Sequence, residues 1–134
     1  MSDQQSQGQQ SPGIILLVED EPLVRLVAAD LLSDAHFRVI EAADAEEALT
    51  VLKAGVLVDV VLSDVEMPGL DGFTLTRTIR RTKGWEHVPV VIMTSRGSEH
   101  DQKAGMDAGA SAYLLKTEFD QDQLVETVRR LVGR

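Results

Sequence analysis

Three short, uninterrupted apolar runs rich in β-branched residues constrain this chain more than any other feature: Ile14-Ile15-Leu16-Leu17-Val18, Val58 to Leu62, and Val88-Pro89-Val90-Val91-Ile92-Met93. Runs of that length with little polar alternation suit strands covered on both faces. Two weaker candidates join them. Phe37-Arg38-Val39-Ile40 is partly alternating and so belongs near a sheet edge, and Ala112-Tyr113-Leu114-Leu115 closes the set of five. Between the strands the apolar period turns helical, as in Leu23, Val27 and Leu31, in Ala45, Ala48, Leu49 and Leu52, and in Leu124, Val128 and Leu131. Asp44-x-x-Glu47 and Asp120-x-x-Gln123 have capping-box spacing with aspartate in the cap position, while Phe73, Thr76 and Ile79 continue a helix opened near Asp71.

The chain thus reads as a strand followed by a helix, five times over. With right-handed crossovers and helices on both faces, this order predicts an α/β, flavodoxin-like (βα)5 fold: a doubly wound, five-stranded parallel sheet of order 2-1-3-4-5. At 134 residues and 43% hydrophobic content the chain can bury one core, so residues 14–134 are expected to form a single domain. Residues 1–13 carry neither a basic start nor an apolar stretch, which excludes a signal peptide and predicts a disordered polar tail. No apolar run is long enough to span a bilayer, and the simplest location is cytoplasmic.

A formal net charge of −9 argues against direct binding of a nucleic-acid backbone, which needs clustered Lys and Arg. The absence of cysteine excludes disulfides and thiolate metal sites. His36, His87 and His100 are widely spaced, form no ligand motif, and are expected on the surface or in loops.

In open α/β sheets a ligand binds beyond the carboxyl ends of the strands, where the strand order reverses. Here that crevice lies between the first and third strands, which exit into Glu19-Asp20-Glu21 and into Asp64. Carboxylates crowded together repel at low dielectric, and a divalent cation resolves the repulsion. All the donors are hard oxygens, including the backbone carbonyl of Glu66, so magnesium suits the crevice better than zinc, with manganese as a substitute. The fourth strand exits at Thr94-Ser95 and the fifth at Lys116, a hydroxyl pair and a point charge suited to an anion beside the metal. Such a set can form an aspartyl phosphate, with Asp64 attacking a phosphoryl group in line while the cation and Lys116 neutralise its oxygens.

The segments Leu17-Val18-Glu19-Asp20-Glu21, Leu62-Ser63-Asp64-Val65-Glu66-Met67-Pro68-Gly69-Leu70-Asp71-Gly72, Val91-Ile92-Met93-Thr94-Ser95 and Ala108 to Lys116 resemble bacterial two-component receiver domains. The resemblance runs from about Ile14 to Leu131. It implies that a histidine kinase or a histidine phosphotransfer protein donates a phosphoryl group to Asp64, with magnesium held by Glu19, Asp20, Asp64 and the Glu66 carbonyl. It further implies that Thr94 and Lys116 contact the phosphoryl group and that Tyr113 swings inward when the threonine hydroxyl moves. The surface of the fourth helix, fifth strand and fifth helix would then be read by an output partner whose identity the chain does not name. That switch is a population shift driven by new charge-assisted bonds. The expected assembly is a monomer or weak dimer.

Two departures stand out. Receiver domains usually follow their lysine with a cis proline; Thr117 follows Lys116 here, and since a cis bond without proline costs about 3 kcal/mol a trans bond is expected. Glu66 and Arg96 occupy the rim positions that in this family tune water access to the phosphoryl group, and their opposite charges predict a pair that shields the phosphoaspartate. The stretch from Leu115 to Leu124 is similar to receivers of chemotaxis-type hybrid histidine kinases, whereas the first half is more like a stand-alone receiver. Two competing readings fit less well. A phosphatase of the haloacid dehalogenase type would place Asp-x-Asp after its first strand, and a flavodoxin-like cofactor binder would need a phosphate-cradling loop where Glu19-Asp20 stands.

Overall fold

The computed structural model describes residues 12–116 and 120–133. The polar stretch up to Ser11 and the Lys116–Thr117 bond, for which a tail and a trans peptide are expected, lie outside the described residues. Among the described residues ten elements alternate strictly: β1 (Ile14–Val18), α1 (Pro22–Asp34), β2 (Arg38–Ala42), α2 (Ala45–Lys53), β3 (Val60–Ser63), α3 (Gly72–Arg81), β4 (Val90–Thr94), α4 (Glu99–Ala108), β5 (Ala112–Leu115) and α5 (Gln121–Gly133). The strands form one parallel sheet of order β2-β1-β3-β4-β5, the order expected from the sequence. Gly13, one residue before β1, is buried, and its carbonyl accepts from the Arg38 amide at 2.9 Å.

Each central strand divides its side chains between two cores, as the two-residue period of a strand requires. Ile15 and Leu17 of β1, Val60 and Leu62 of β3, and Val91 and Met93 of β4 point to the face covered by α1 and α5, where they meet Ala28, Ala29, Leu32, Leu124 and Val128. Leu16, Val18, Val61 and Val90 point the other way, onto Ala45, Ala48 and Leu52 of α2 and Leu75 and Ile79 of α3. A third cluster of Val65, Phe73, Ile92, Ala108 and Ala110 lies under α4. Burying a Leu or Ile side chain stabilises by about 1.5–3 kcal/mol, so these sheet faces supply most of the driving force and explain why β1, β3 and β4 contain almost nothing polar.

The helix starts follow their caps. Asp44 accepts from the Glu47 amide at 2.8 Å, Asp71 from the Thr74 amide at 2.8 Å, and Asp120 from the Asp122 amide at 2.9 Å. Glu47 reaches back one residue past the cap, accepting from the Ala43 amide at 2.8 Å in place of the cap amide that a capping box would use. At the other end of α4, Gly109 takes a φ of 109°, a left-handed conformation that a residue with a Cβ adopts only at a cost. Arg80 of α3 then locks the loop behind it, donating to the carbonyls of Gly109 at 2.9 Å and Val88 at 2.6 Å.

One helix is turned differently from its expected face. Leu23 and Val27 of α1 are exposed at 69% and 52%, and Leu26 at 53%, while Ala28, Ala29 and Leu32 carry the contact with the sheet. The segment is apolar on nearly every side, so its period could not select a face. The small side chains of Ala28 and Ala29 let the helix approach the sheet closely, and that decided the matter.

Candidate functional site

Asp64 stands one residue beyond β3, and its amide still donates to the Val18 carbonyl at 3.1 Å, so the ladder holds it at the mouth of the β1/β3 crevice. Its carboxylate is tied on both oxygens: Oδ1 accepts from the Val65 amide at 2.6 Å and Oδ2 from Lys116 Nζ at 2.8 Å. Gly72, the first residue of α3, lies directly against this turn. A Cβ there would collide with the Asp64 carbonyl oxygen and come within 2.9 Å of the Val65 Cα, so only glycine lets α3 start where it does.

Glu19 follows β1 and is only 2% exposed. Its Oε1 accepts from Lys116 Nζ at 2.8 Å and its Oε2 from the Glu21 amide at 3.2 Å. Burial pushes the Glu19 carboxyl above its ordinary range, by more than the bonds from Lys116 and Glu21 draw it down. Burial acts to lower the Lys116 ammonium, but its bonds to Asp64 and Glu19 outweigh that and hold its pKa above the ordinary lysine value. Carboxylate oxygens of Glu19, Asp20 and Asp64 all lie within 4.8 Å of one another.

The donor set fits a hard divalent cation. It consists of oxygens alone, it is crowded enough to repel, and its most buried member is already costly to ionise. Glu66, two residues beyond Asp64, is exposed.

On the far side of the crevice Thr94, the last residue of β4, is fully buried and its Oγ1 accepts from the Arg96 amide at 3.3 Å. Tyr113 of β5 is partly buried against Val65, Phe73 and Ile92, and its hydroxyl donates to the Arg96 carbonyl at 2.6 Å. Its ring also packs on Gly105 of α4, where a Cβ would come within 2.8 Å of two ring carbons. Thr94 and Tyr113 therefore hold opposite sides of the same residue, Arg96.

The expected pair between Glu66 and Arg96 is not formed among the described residues. Arg96 instead donates to Asp101 Oδ1 at 2.9 Å, with its guanidinium 5.7 Å above the Phe73 ring. Asp101 lies in the first turn of α4, and its other oxygen accepts from the Ser98 hydroxyl at 2.9 Å, so a fixed carboxylate captures the arginine before the exposed Glu66 can. Sequence patterns also give no role to Arg25, or to Gly72 at the end of the Leu62–Gly72 segment. Arg25 is a lone cation in the first turns of an otherwise apolar helix behind three acids, which was the available signal; Gly72 directly follows the cap Asp71.

The description of one protein-family model, the response regulator receiver domain, matches residues 15–129. The gliding motility regulatory protein of Myxococcus xanthus is 39% identical over 117 residues, 87% of this chain and 15% of that protein. The chain spans about half or less of the length of the curated relatives it matches. Among solved structures, chemotaxis protein CheY4 of Vibrio cholerae superposes with a TM-score of 0.82 at 30% identity, covering 90% of this chain and 99% of that one. The receiver domain of sensor histidine kinase PA1611 from Pseudomonas aeruginosa, solved with a magnesium ion coordinated in its active-site cleft, superposes at 0.80 with 31% identity, covering 92% of this chain and 100% of that one.

Proposed function

Because the chain belongs to the response regulator receiver domain family, and so to two-component signalling, we propose that Asp64 is its phosphoacceptor and that Glu19, Asp20, Asp64 and the Glu66 carbonyl hold magnesium, or manganese in its place. The observation that carries this is Lys116 Nζ at 2.8 Å from both Glu19 and Asp64, a cation drawn into a carboxylate crevice at the strand exits. When bound, the metal ion would supply positive charge to the phosphoryl oxygens.

The chain's own residues then divide the work. An Asp64 oxygen attacks phosphorus in line, the phosphorus–nitrogen bond of a phosphohistidine breaks, and the imidazole leaves with that electron pair. Lys116 moves its ammonium from the Asp64 carboxylate to a phosphoryl oxygen, and the Thr94 hydroxyl donates to another. Once Thr94 turns to the phosphoryl group, the Arg96 amide loses its acceptor and the Tyr113 hydroxyl loses a fixed partner. That biases the α4-β5-α5 surface toward a second state, which an output partner would read. Glu66 and Arg96 at the rim set how readily water reaches the acyl phosphate.

The phosphodonor would be a histidine kinase or a histidine phosphotransfer protein. Its docking face would be the exposed apolar side of α1, because Leu23 and Val27 border a groove of about 400 Å³ that ends at Lys116 and Met93, beside the acceptor. The setting proposed for this exchange is the cytoplasm; no helix among the described residues is long and apolar enough to cross a membrane. We read the domain as a switch that acts on itself rather than as a turnover enzyme.

Incubation with magnesium and acetyl phosphate, followed by intact-mass measurement, tests this reading. One added phosphoryl group, absent in Asp64→Asn and absent when the metal is chelated, is the expected result. Steady phosphate release over many turnovers would instead make the chain a phosphatase.

A further inference from the structure

Arg25, on α1, is outside the carboxylate crevice yet reaches its backbone. Its Nη1 donates to the Glu19 carbonyl at 2.8 Å, and its Nε donates to Glu41 Oε1 on the edge strand β2 at 3.2 Å. The guanidinium side chain is 22% exposed, so this is a held group rather than a free surface charge.

The carbonyl it grips matters because a peptide unit is planar. Fixing the Glu19 carbonyl fixes the plane that joins Glu19 to Asp20, and with it the directions in which both carboxylates leave the chain. The neighbouring restraints are weaker candidates for that task. The Glu19 amide is paired with the Ala42 carbonyl at 3.0 Å, which secures only the near side of the residue. The Glu21 amide bonds to the Glu19 carboxylate itself, and Glu21 gives α1 no side-chain cap. Three consecutive acids therefore turn from β1 into α1, and an arginine four residues beyond Glu21, anchored at its back by Glu41, orients their first peptide.

We propose that Arg25 is a positioning residue for the cation site: it pre-sets the Glu19–Asp20 peptide so that both carboxylates converge with Asp64. The inference rests on the metal-binding part of the receiver reading above. Its sign separates it from simple electrostatics. A guanidinium beside a cation site repels the incoming ion, so by charge alone removing Arg25 should tighten binding. Loss of a positioning contact should weaken it, and contacts behind metal ligands commonly account for about 10–100-fold in affinity.

The experiment is a titration of the full chain with magnesium chloride, following the amide resonances of Asp20 and Asp64 by NMR, alongside thermal midpoints measured without metal. Arg25→Ala is expected to weaken magnesium about tenfold, and Arg25→Lys, which keeps a donor for the carbonyl, to recover part of that loss. Glu41→Gln removes the charge of the anchor, leaving a neutral acceptor, without altering α1 and should weaken binding by a smaller factor, which keeps the test decisive if Arg25→Ala folds poorly. Wild-type binding with unchanged or tighter binding in Arg25→Ala and Glu41→Gln would overturn the positioning role alone. If the wild-type chain itself shows no saturable magnesium shift, the cation site fails, and Arg25 with it.

Discussion

Lys116 and Asp64, 52 residues apart in sequence, meet through a 2.8 Å bond between Nζ and Oδ2, and the same ammonium lies 2.8 Å from Glu19 Oε1. By its position this lysine can do part of what a divalent cation would do. It neutralises carboxylates that would otherwise repel one another in a partly buried crevice.

Replacing Lys116 with Met should therefore move two measurements in opposite directions. Metal-free stability, read by urea denaturation, is expected to fall by about 1–3 kcal/mol, because two carboxylates lose their charged donor. Magnesium affinity, read by calorimetry, should rise, because the competing ammonium is gone. A loss of stability together with weaker magnesium binding would contradict the exchange.

Arg96 is held by Asp101 rather than by Glu66. Asp101→Asn should release it toward the rim and lengthen the lifetime of the phosphorylated state severalfold, whereas Glu66→Ala and Arg96→Ala should shorten it. The decay of phosphorylated protein on gels that retard the phosphoform measures all three. Identical decay in every variant would remove both rim residues from the account.

Gly72→Ala tests the close approach behind Asp64. The added methyl meets the carbonyl of Asp64, a residue just beyond β3 whose amide is tied to the Val18 carbonyl and which therefore cannot retreat far. Overpacking of this kind costs about 1–3 kcal/mol, to be read from urea denaturation, and phosphorylation by acetyl phosphate should slow in the same variant. Wild-type stability with wild-type phosphorylation would show that the turn has room to adjust.

Tyr113 is the sole tyrosine of the chain, so phenolate absorbance reports it alone. Burial raises its pKa above the ordinary 10.0. The folded protein should therefore ionise at higher pH than the chain in denaturant. The consequence for stability has a definite sign. As pH climbs past 10.0 the unfolded chain loses its proton while the folded one keeps it, so stability falls until the folded pKa is passed. Lys116 acts the same way, since its raised folded pKa gives stability that is full below 10.5 and lost as pH rises through the folded value. Alkaline unfolding should be shallower in Tyr113→Phe, and equal curves would discount the phenol.

Much of the fold was legible because its signals are local. Short β-branched runs such as Ile14 to Val18 suit strands covered on both faces, and aspartates at positions 44, 71 and 120 start helices by bonding amides two or three residues ahead. The strand exits followed from the fold, and with them the meeting of Glu19, Asp20, Asp64 and Lys116. Strand limits shifted by a residue or two, as at β3, which ends at Ser63 rather than Leu62, because the ladder and not composition sets where pairing stops.

Sequence by itself therefore determined the order of elements, the sheet that results and the end of the sheet at which charged groups gather, since periodicity and capping act within a few residues. Only the tertiary structure decided which face α1 buries, that Arg96 pairs with Asp101, and that Arg25 reaches Glu19 and Glu41. These are choices among several partners of suitable chemistry, and distance settles them. α1 lies close to the sheet because Ala28 and Ala29 are small, and Arg96 takes the carboxylate that Ser98 already holds in place.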